Sequence, residues 1–107
     1  MNDFLLLKSI GEGIAELKSK YNNISDSEKE KVMDEIEKLS DEYKKVYQMS
    51  LKNSLIITEY DIEEIEKLRK QINSCANATE ILETIKSLFL VVFNISSNII
   101  NTVKKYY

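Results

Sequence analysis

The sequence predicts an all-α protein that folds as a compact antiparallel bundle of about four helices. Apolar residues recur at spacings of three and four along most of the chain, which is the periodicity of helices with one buried face. Proline is absent and only 2 glycines occur, so few positions force a break in a helix. A chain of 107 residues fits a single helical domain, 1–107, with one hydrophobic core.

The first helix is predicted over about residues 3–21. Its buried positions follow the helical spacing: Leu7, Ile10, Ile14, Leu17 and Tyr21. Gly11 and Gly13 lie inside this helix, and a glycine there costs about 1 kcal/mol relative to alanine. Two such residues predict a bend, or a close contact with a neighbouring helix, at this point of the chain.

The second and third helices each follow a capping pattern. Ser25 precedes Glu28 by three residues, an arrangement in which each side chain bonds the other residue's backbone N–H and a helix begins. Thr58 and Asp61 repeat the arrangement before the third helix. The buried positions predicted for the two helices are Val32, Ile36, Leu39, Tyr43 and Val46, and then Ile62, Ile65, Leu68 and Ile72.

A short connection between these two helices is predicted over residues 53–57. No Gly or Pro in the neighbouring sequence forces the chain to break there. The alternative is a single helix from about residue 26 to residue 74. That arrangement would make the molecule an elongated helical hairpin or a dimer.

The last helix is predicted from about residue 78 nearly to the end of the chain, with Asn77 and Glu80 as its capping pair. No residue between Lys86 and Lys104 is charged, although 31% of the whole chain is. Ten apolar positions form a very broad face: Ile81, Leu82, Ile85, Phe89, Val92, Phe93, Ile95, Ile99, Ile100 and Val103. A helix that is apolar on most sides usually lies at the centre of a bundle, which is the first interpretation.

The second interpretation is that the remaining side of this helix binds a partner. The residues of that candidate surface are uncharged: Ser87, Leu90, Val91, Asn94, Asn98 and Asn101. Leu90 and Val91 would be apolar anchors inside a rim of amides, because the centres of protein interfaces are depleted in charge. A third interpretation places residues 81–103 in a membrane, but a lone span would leave its many Ser and Asn side chains unpaired.

An acidic patch is predicted at the start of the third helix: Glu59, Asp61, Glu63, Glu64 and Glu66. Its simplest interpretation is a solvated surface that complements the helix dipole. The alternative is a site for a basic surface of a partner protein, which Lys67, Arg69 and Lys70 would dilute.

The composition argues against catalysis and against bound cofactors or metals. Histidine is absent, so neither a Ser-His-Asp triad nor a Cys-His pair can be assembled. The single Cys75 has no companion for zinc and is predicted to be a small buried residue at a helix end. The Gly11–Gly13 segment lies in a helical pattern and is no phosphate loop.

Charge and leader features indicate the compartment and the class of partner. The net charge is -3 and the lysines are interleaved with acids, which argues against binding nucleic acid directly. The first residues lack the basic region of a secretory signal, so a cytoplasmic protein is expected. Tyrosines are divided between buried and exposed predictions: Tyr21, Tyr43 and Tyr47 buried, Tyr60, Tyr106 and Tyr107 exposed.

The run ITEYDIEEIEKL, residues 57–68, resembles a helix of the four-helix immunity proteins that protect bacteria from their own bacteriocins. The likeness is that of a capped amphipathic helix and transfers no site residue. Abundant Lys, Ile and Asn indicate an AT-rich coding sequence, as in low-GC bacteria, their plasmids and their phages. We expect a non-catalytic binding module that acts on another protein or on itself, as an inhibitor, an immunity or counter-defence factor, or an adaptor. A membrane-associated role for residues 81–103 is the alternative.

Overall fold

A computed structural model describes the backbone of residues 3–106 and the side chains of residues 4–98. Within these residues the chain forms four α-helices and one short 3-10 turn, and no strand. The helices are α1 (Asp3–Lys20), α2 (Asp26–Ser50), α3 (Glu59–Ser74) and α4 (Ala78–Tyr106), with the turn at Tyr21–Asn23. The predicted all-α bundle of four helices is confirmed.

Helix α1 runs antiparallel to α2 and parallel to α3. The Tyr43 phenol of α2 donates to the Leu7 carbonyl near the start of α1 at 3.0 Å. At the other end, the Lys29 ammonium lies 5.4 Å from the centre of the Tyr21 ring. Along α3, Arg69 bonds Ser9 of α1. Further along both helices, the Cys75 carbonyl at the end of α3 accepts a hydrogen bond from Lys20 at the end of α1. The two helices therefore run in the same direction.

Helices α2 and α4 are parallel neighbours and share the most extensive contact in the bundle. Leu82 borders the same depression as Lys31, near the start of α2. Ser96 lies 3.9 Å from the Met49 sulfur near its end. Helix α1 contacts α2, helix α3 contacts α4, and α1 and α3 contact one another. Helices α2 and α3 scarcely touch. Consecutive helices therefore alternate in direction, but α2 and α3 lie on a diagonal of the bundle.

The connection between α2 and α3 covers residues 51–58, slightly longer than the predicted 53–57. The alternative of one continuous helix is wrong. Leu55 is buried and Ile57 is half-buried, so the connection is attached to the core while it crosses the diagonal. An eight-residue segment is long enough for this crossing, which a tight turn could not make.

The capping predictions hold for two helices and fail in detail for the third. Asp61 N–H donates to the Thr58 hydroxyl at 3.1 Å and Thr58 N–H donates to the Asp61 carboxylate at 3.0 Å, a complete capping box. The Asn77 side chain accepts from Glu80 N–H at 2.9 Å. Ser25 is the N-cap of α2, but its hydroxyl donates to the Glu28 carboxylate at 2.7 Å and caps no backbone N–H. The two polar side chains satisfy one another there in place of the backbone.

The core is formed by the apolar seams that face inward from all four helices and by Leu55. Most predicted buried positions of α1, α2 and α3 are buried, whereas Tyr21, Tyr43 and Ile62 are half-buried. Cys75 ends α3 as a buried residue, as predicted, with its sulfur 3.3 Å from the Thr84 hydroxyl. The bundle measures 48 × 24 × 18 Å, because α2 and α4 are longer than α1 and α3.

Both glycines of α1 mark close helix contacts, as the sequence predicted. A Cβ atom on Gly11 would lie 2.9 Å from the Tyr43 hydroxyl of α2. A Cβ atom on Gly13 would lie 3.1 Å from Arg69 Cδ and 3.2 Å from Ile72 Cδ1, both in α3. The missing side chains therefore let α1 approach two neighbours at once, on two different sides.

Arg69 joins α3 to α1 through its guanidinium group. One nitrogen donates to the Ser9 carbonyl at 2.8 Å and lies 3.5 Å from the Glu12 carboxylate. The other donates to the Glu16 carboxylate at 2.7 Å. The side chain is 26% exposed and its Nε is buried without a partner, so the contact lies in a partly desolvated place where charge-assisted bonds are strong.

Replacing Arg69 with methionine should lower the free energy of unfolding by about 1 to 2 kcal/mol, since charged hydrogen bonds are lost while the aliphatic stem is kept. Urea denaturation followed by circular dichroism measures the change. The matched control is Lys70→Met, because Lys70 is exposed on the same helix and bonds no other described residue. An equal effect of the two substitutions would contradict a structural role for the Arg69 contact.

The tyrosines of α2 differ from their prediction. Tyr43 is half-buried, but Tyr47 is 44% exposed, so its predicted burial is wrong. Tyr47 lies one turn closer to the end of α2, where fewer residues of α1 cover it. Tyr60 is exposed as predicted, and Tyr106 and Tyr107 lie outside the described side chains. Burial raises the pKa of the Tyr43 phenol, and the nearby Tyr47 phenol raises it further.

This raised pKa predicts an alkaline loss of stability. The folded state holds the Tyr43 proton more tightly than the unfolded state, so its contribution is complete below the unfolded pKa of about 10. It is lost as the pH rises from there through the folded pKa. The free energy of unfolding should therefore fall as the pH rises above about 10, and Tyr43→Phe should make that fall shallower. An unchanged slope in the variant would contradict this assignment.

Candidate partner-binding surface

Helix α4 buries one side against the bundle and leaves the opposite side open. Its most buried residues follow the helical spacing: Ile81, Ile85, Leu88, Val92 and Ile95. At 100° per residue, Leu90 lies almost opposite the middle of this row. The first interpretation of α4, a central core helix, is thus right for one side only, because α1 does not cover the other.

The exposed side of α4 carries two large apolar side chains three residues apart. Leu90 is 56% exposed and Phe93 is 46% exposed. Phe93 was predicted on the buried face, and that prediction is wrong. Its ring stacks on that of the half-buried Phe89 at a centroid distance of 6.2 Å, which holds the ring at the edge of α4. We call Leu90, Phe93 and the polar residues around them the α4 surface.

The structure keeps most, but not all, of the predicted partner-binding residues on this surface. Ser87 and Asn94 are exposed and Asn98 is half-buried, whereas Asn101 lies outside the described side chains. Val91 is 5% exposed and belongs to the core, so its predicted role as an anchor is wrong.

Val91 is buried because α3 covers its side of α4. It lies seven residues after Thr84 and hence on the same side of the helix. Thr84 is itself buried and lies against Cys75 at the end of α3. Phe93 takes its place as the second apolar side chain of this surface. The sequence contains the signal for this, because residues three apart, such as Leu90 and Phe93, lie on the same side of a helix.

The predicted acidic patch on α3 loses its central member. Glu59, Glu63 and Glu66 are exposed and Glu64 is half-buried. Asp61 is 4% exposed, because its carboxylate is held by the Thr58 backbone in the capping box. The remaining patch is a row of solvated carboxylates around a helix start, where the dipole favours negative charge.

The described residues bring together no group of three Cys, Asp or Glu side chains that could hold a metal ion. Among the described residues, no helix contains a stretch that is both apolar enough and long enough to cross a membrane. The arrangement of α4 therefore offers recognition of an apolar, neutral surface as its chemistry: two large side chains among hydroxyl and amide groups.

Comparison of the chain with models of protein families, with curated proteins and with solved structures finds no match.

Truncation of two neighbouring residues of α4 should change the free energy of unfolding by very different amounts. Leu90→Ala should change the free energy of unfolding by less than about 0.5 kcal/mol, since the side chain is exposed. Val91→Ala should lower it by about 2 kcal/mol, because it opens a space in the core. Urea denaturation of both variants measures the difference. A large loss for Leu90→Ala would mean that this side of α4 is covered, and would remove it as a binding surface.

Proposed function

We propose that this chain is a non-catalytic protein-binding module that engages another protein, or a second copy of itself, through the α4 surface. The observation that supports the proposal is the exposure of Leu90 and Phe93 on a stretch of helix that carries no charge between Lys86 and Lys104. Large side chains placed in this way, among neutral polar groups, have the composition of an interface centre. Elsewhere the exposed sides of α2 and α3 are rich in Glu, Asp and Lys.

The proposed role is stoichiometric: inhibition, immunity or counter-defence, or an adaptor function, in the cytoplasm of a low-GC bacterium or encoded by its plasmid or phage. A single small bundle with two large apolar side chains exposed on one helix suits a role in which binding itself is the action. The lack of histidine in the sequence and the burial of its only cysteine support the non-catalytic part of the proposal.

Affinity capture from the source cell tests this function. Three tagged forms are compared: the wild type, a Leu90→Lys/Phe93→Lys double variant, and Tyr60→Lys as control, because Tyr60 is an exposed aromatic residue on a different helix, α3. We expect one stoichiometric soluble partner with the wild type and the control. The double variant should lose it, since two charges would be buried without partners.

Self-association is measured on the same proteins by sedimentation, with the same expected pattern if the partner is a second copy. Circular dichroism of the double variant confirms that it is folded. Equal capture by all three forms would contradict a role for the α4 surface. Recovery only with the membrane fraction would instead favour a membrane-associated role.

A further inference from the structure

A second surface lies between α1 and α2, away from the α4 surface. Two adjoining depressions, with volumes of about 220 and 320 Å³, meet at Tyr43 and Lys44. We call them together the tyrosine–lysine groove. Its principal lining residues are Gly11, Ala15 and Lys18 of α1 and Tyr43, Lys44 and Tyr47 of α2.

The shape of the groove follows from the contact between Gly11 and Tyr43. The phenol is fixed against the backbone of α1 by its bond to the Leu7 carbonyl, in the space that a side chain on residue 11 would fill. Gly11 and Ala15 add almost no bulk on the α1 side. Tyr47, with its ring centre 6.5 Å from that of Tyr43, forms the wall on the α2 side. The groove is thus built on the backbones of two packed helices.

The charge of the groove is positive, in contrast with the chain as a whole. Neither Lys18 nor Lys44 forms an ion pair or a hydrogen bond with any described residue, and both are exposed. No described acidic residue lines the two depressions, and the nearest acids before Lys44 on the outer side of α2 are Asp41 and Glu37. These lysines therefore keep their charge available, in a protein whose net charge is -3.

Apolar residues flank the end of the groove where α1 begins and α2 ends. Phe4 is 67% exposed and Leu51 is 71% exposed. Leu7 of α1 lies opposite Tyr43 of α2. The side chains of Phe4 and Leu51 therefore lie toward the same end of this helix pair. A ligand that extends along the groove would meet cations and phenols first and apolar side chains at this end.

We propose that the tyrosine–lysine groove binds an acidic, partly apolar helical segment of a partner protein. Its carboxylates would pair with Lys18 and Lys44, and its apolar residues would pack on Tyr43, Tyr47 and Leu51. Grooves between two helices commonly accept an amphipathic helix in this way, and complementary charge fixes its orientation. The site is independent of the α4 surface and adds a chemical class of partner to the proposed function.

The observations favour a protein segment over an anionic membrane. The groove is concave, whereas a bilayer surface would reach only its rim.

Nuclear magnetic resonance of the full chain tests the proposal, because the only 2 glycines of the sequence report on the site and on its control. Gly11 lines the groove, and Gly13 faces Arg69 on another side of the same helix. The probe is a short designed amphipathic helix with Glu on one side and Leu on the other. The Gly11 amide signal should shift on titration while the Gly13 signal stays in place.

Two controls isolate charge from apolar contact. A matched probe with Gln in place of every Glu should bind about tenfold more weakly, and a Lys18→Glu/Lys44→Glu variant should weaken binding of the acidic probe by at least about tenfold. Lys67→Glu/Lys70→Glu reverses two exposed lysines on α3 and should leave binding unchanged. An unshifted Gly13 signal in each variant shows that α1 still packs on α3.

Several outcomes would overturn the inference: equal binding of the Gln probe, an unmoved Gly11 signal, or a Gly11 shift caused by anionic vesicles in place of the peptide. A Gly11 shift that appears on raising the protein concentration alone would assign the groove to a second copy. Leu90→Lys/Phe93→Lys should bind the acidic probe normally, so failure of the groove and failure of the α4 surface are distinguishable.

Discussion

The contact of Arg69 with α1 is the interaction on which the arrangement of this bundle depends. Helix α1 packs mainly against α2 and α3, so its place is set by what those two helices present to it. Gly13 admits the arginine close to the backbone, and Ser9, Glu12 and Glu16 receive its guanidinium group. A guanidinium group that contacts three residues of α1 fixes the rotation of α1 about its own axis as well as its distance from α3. Apolar packing alone restricts that rotation less strongly.

That rotation decides the charge on the opposite side of α1. Both glutamates of the helix are held near Arg69, on the α3 side, and Lys18 is left beside α2 without a counter-ion. Gly11 meets Tyr43 on this same side, and the small residues there leave a groove in front of the phenol. One ion-pair network therefore produces both the attachment of α1 and the positive groove that α1 shares with α2.

The α4 surface has a different origin. The parallel contact of α2 and α4 buries one side of α4, and α3 covers a second side that includes Val91. Helix α1 lies across the bundle, so nothing among the described residues covers Leu90 and Phe93. The two proposed surfaces thus lie on different helices and differ in chemistry: one is mainly apolar, and the other is cationic and phenolic. A module with both could hold two partners, or two parts of one partner.

The sequence by itself determined the four helices, their caps at Thr58 and Asn77, the buried seams and the close contacts at the two glycines. These features are local, because spacing, capping and missing side chains act within a few residues. The tertiary structure alone decided that α2 lies beside α4 and diagonal to α3, and hence which flank of each helix is covered. Val91, Phe93 and Tyr47 were misassigned for that reason, because each lies at the edge of a helical face, where a neighbouring helix decides exposure. Asp61 was misassigned although its burial is local, since the predicted capping bond to Thr58 takes its carboxylate out of the acidic patch. Arg69 was passed over as a charge on a solvated helix, since its three partners lie more than fifty residues away in the chain.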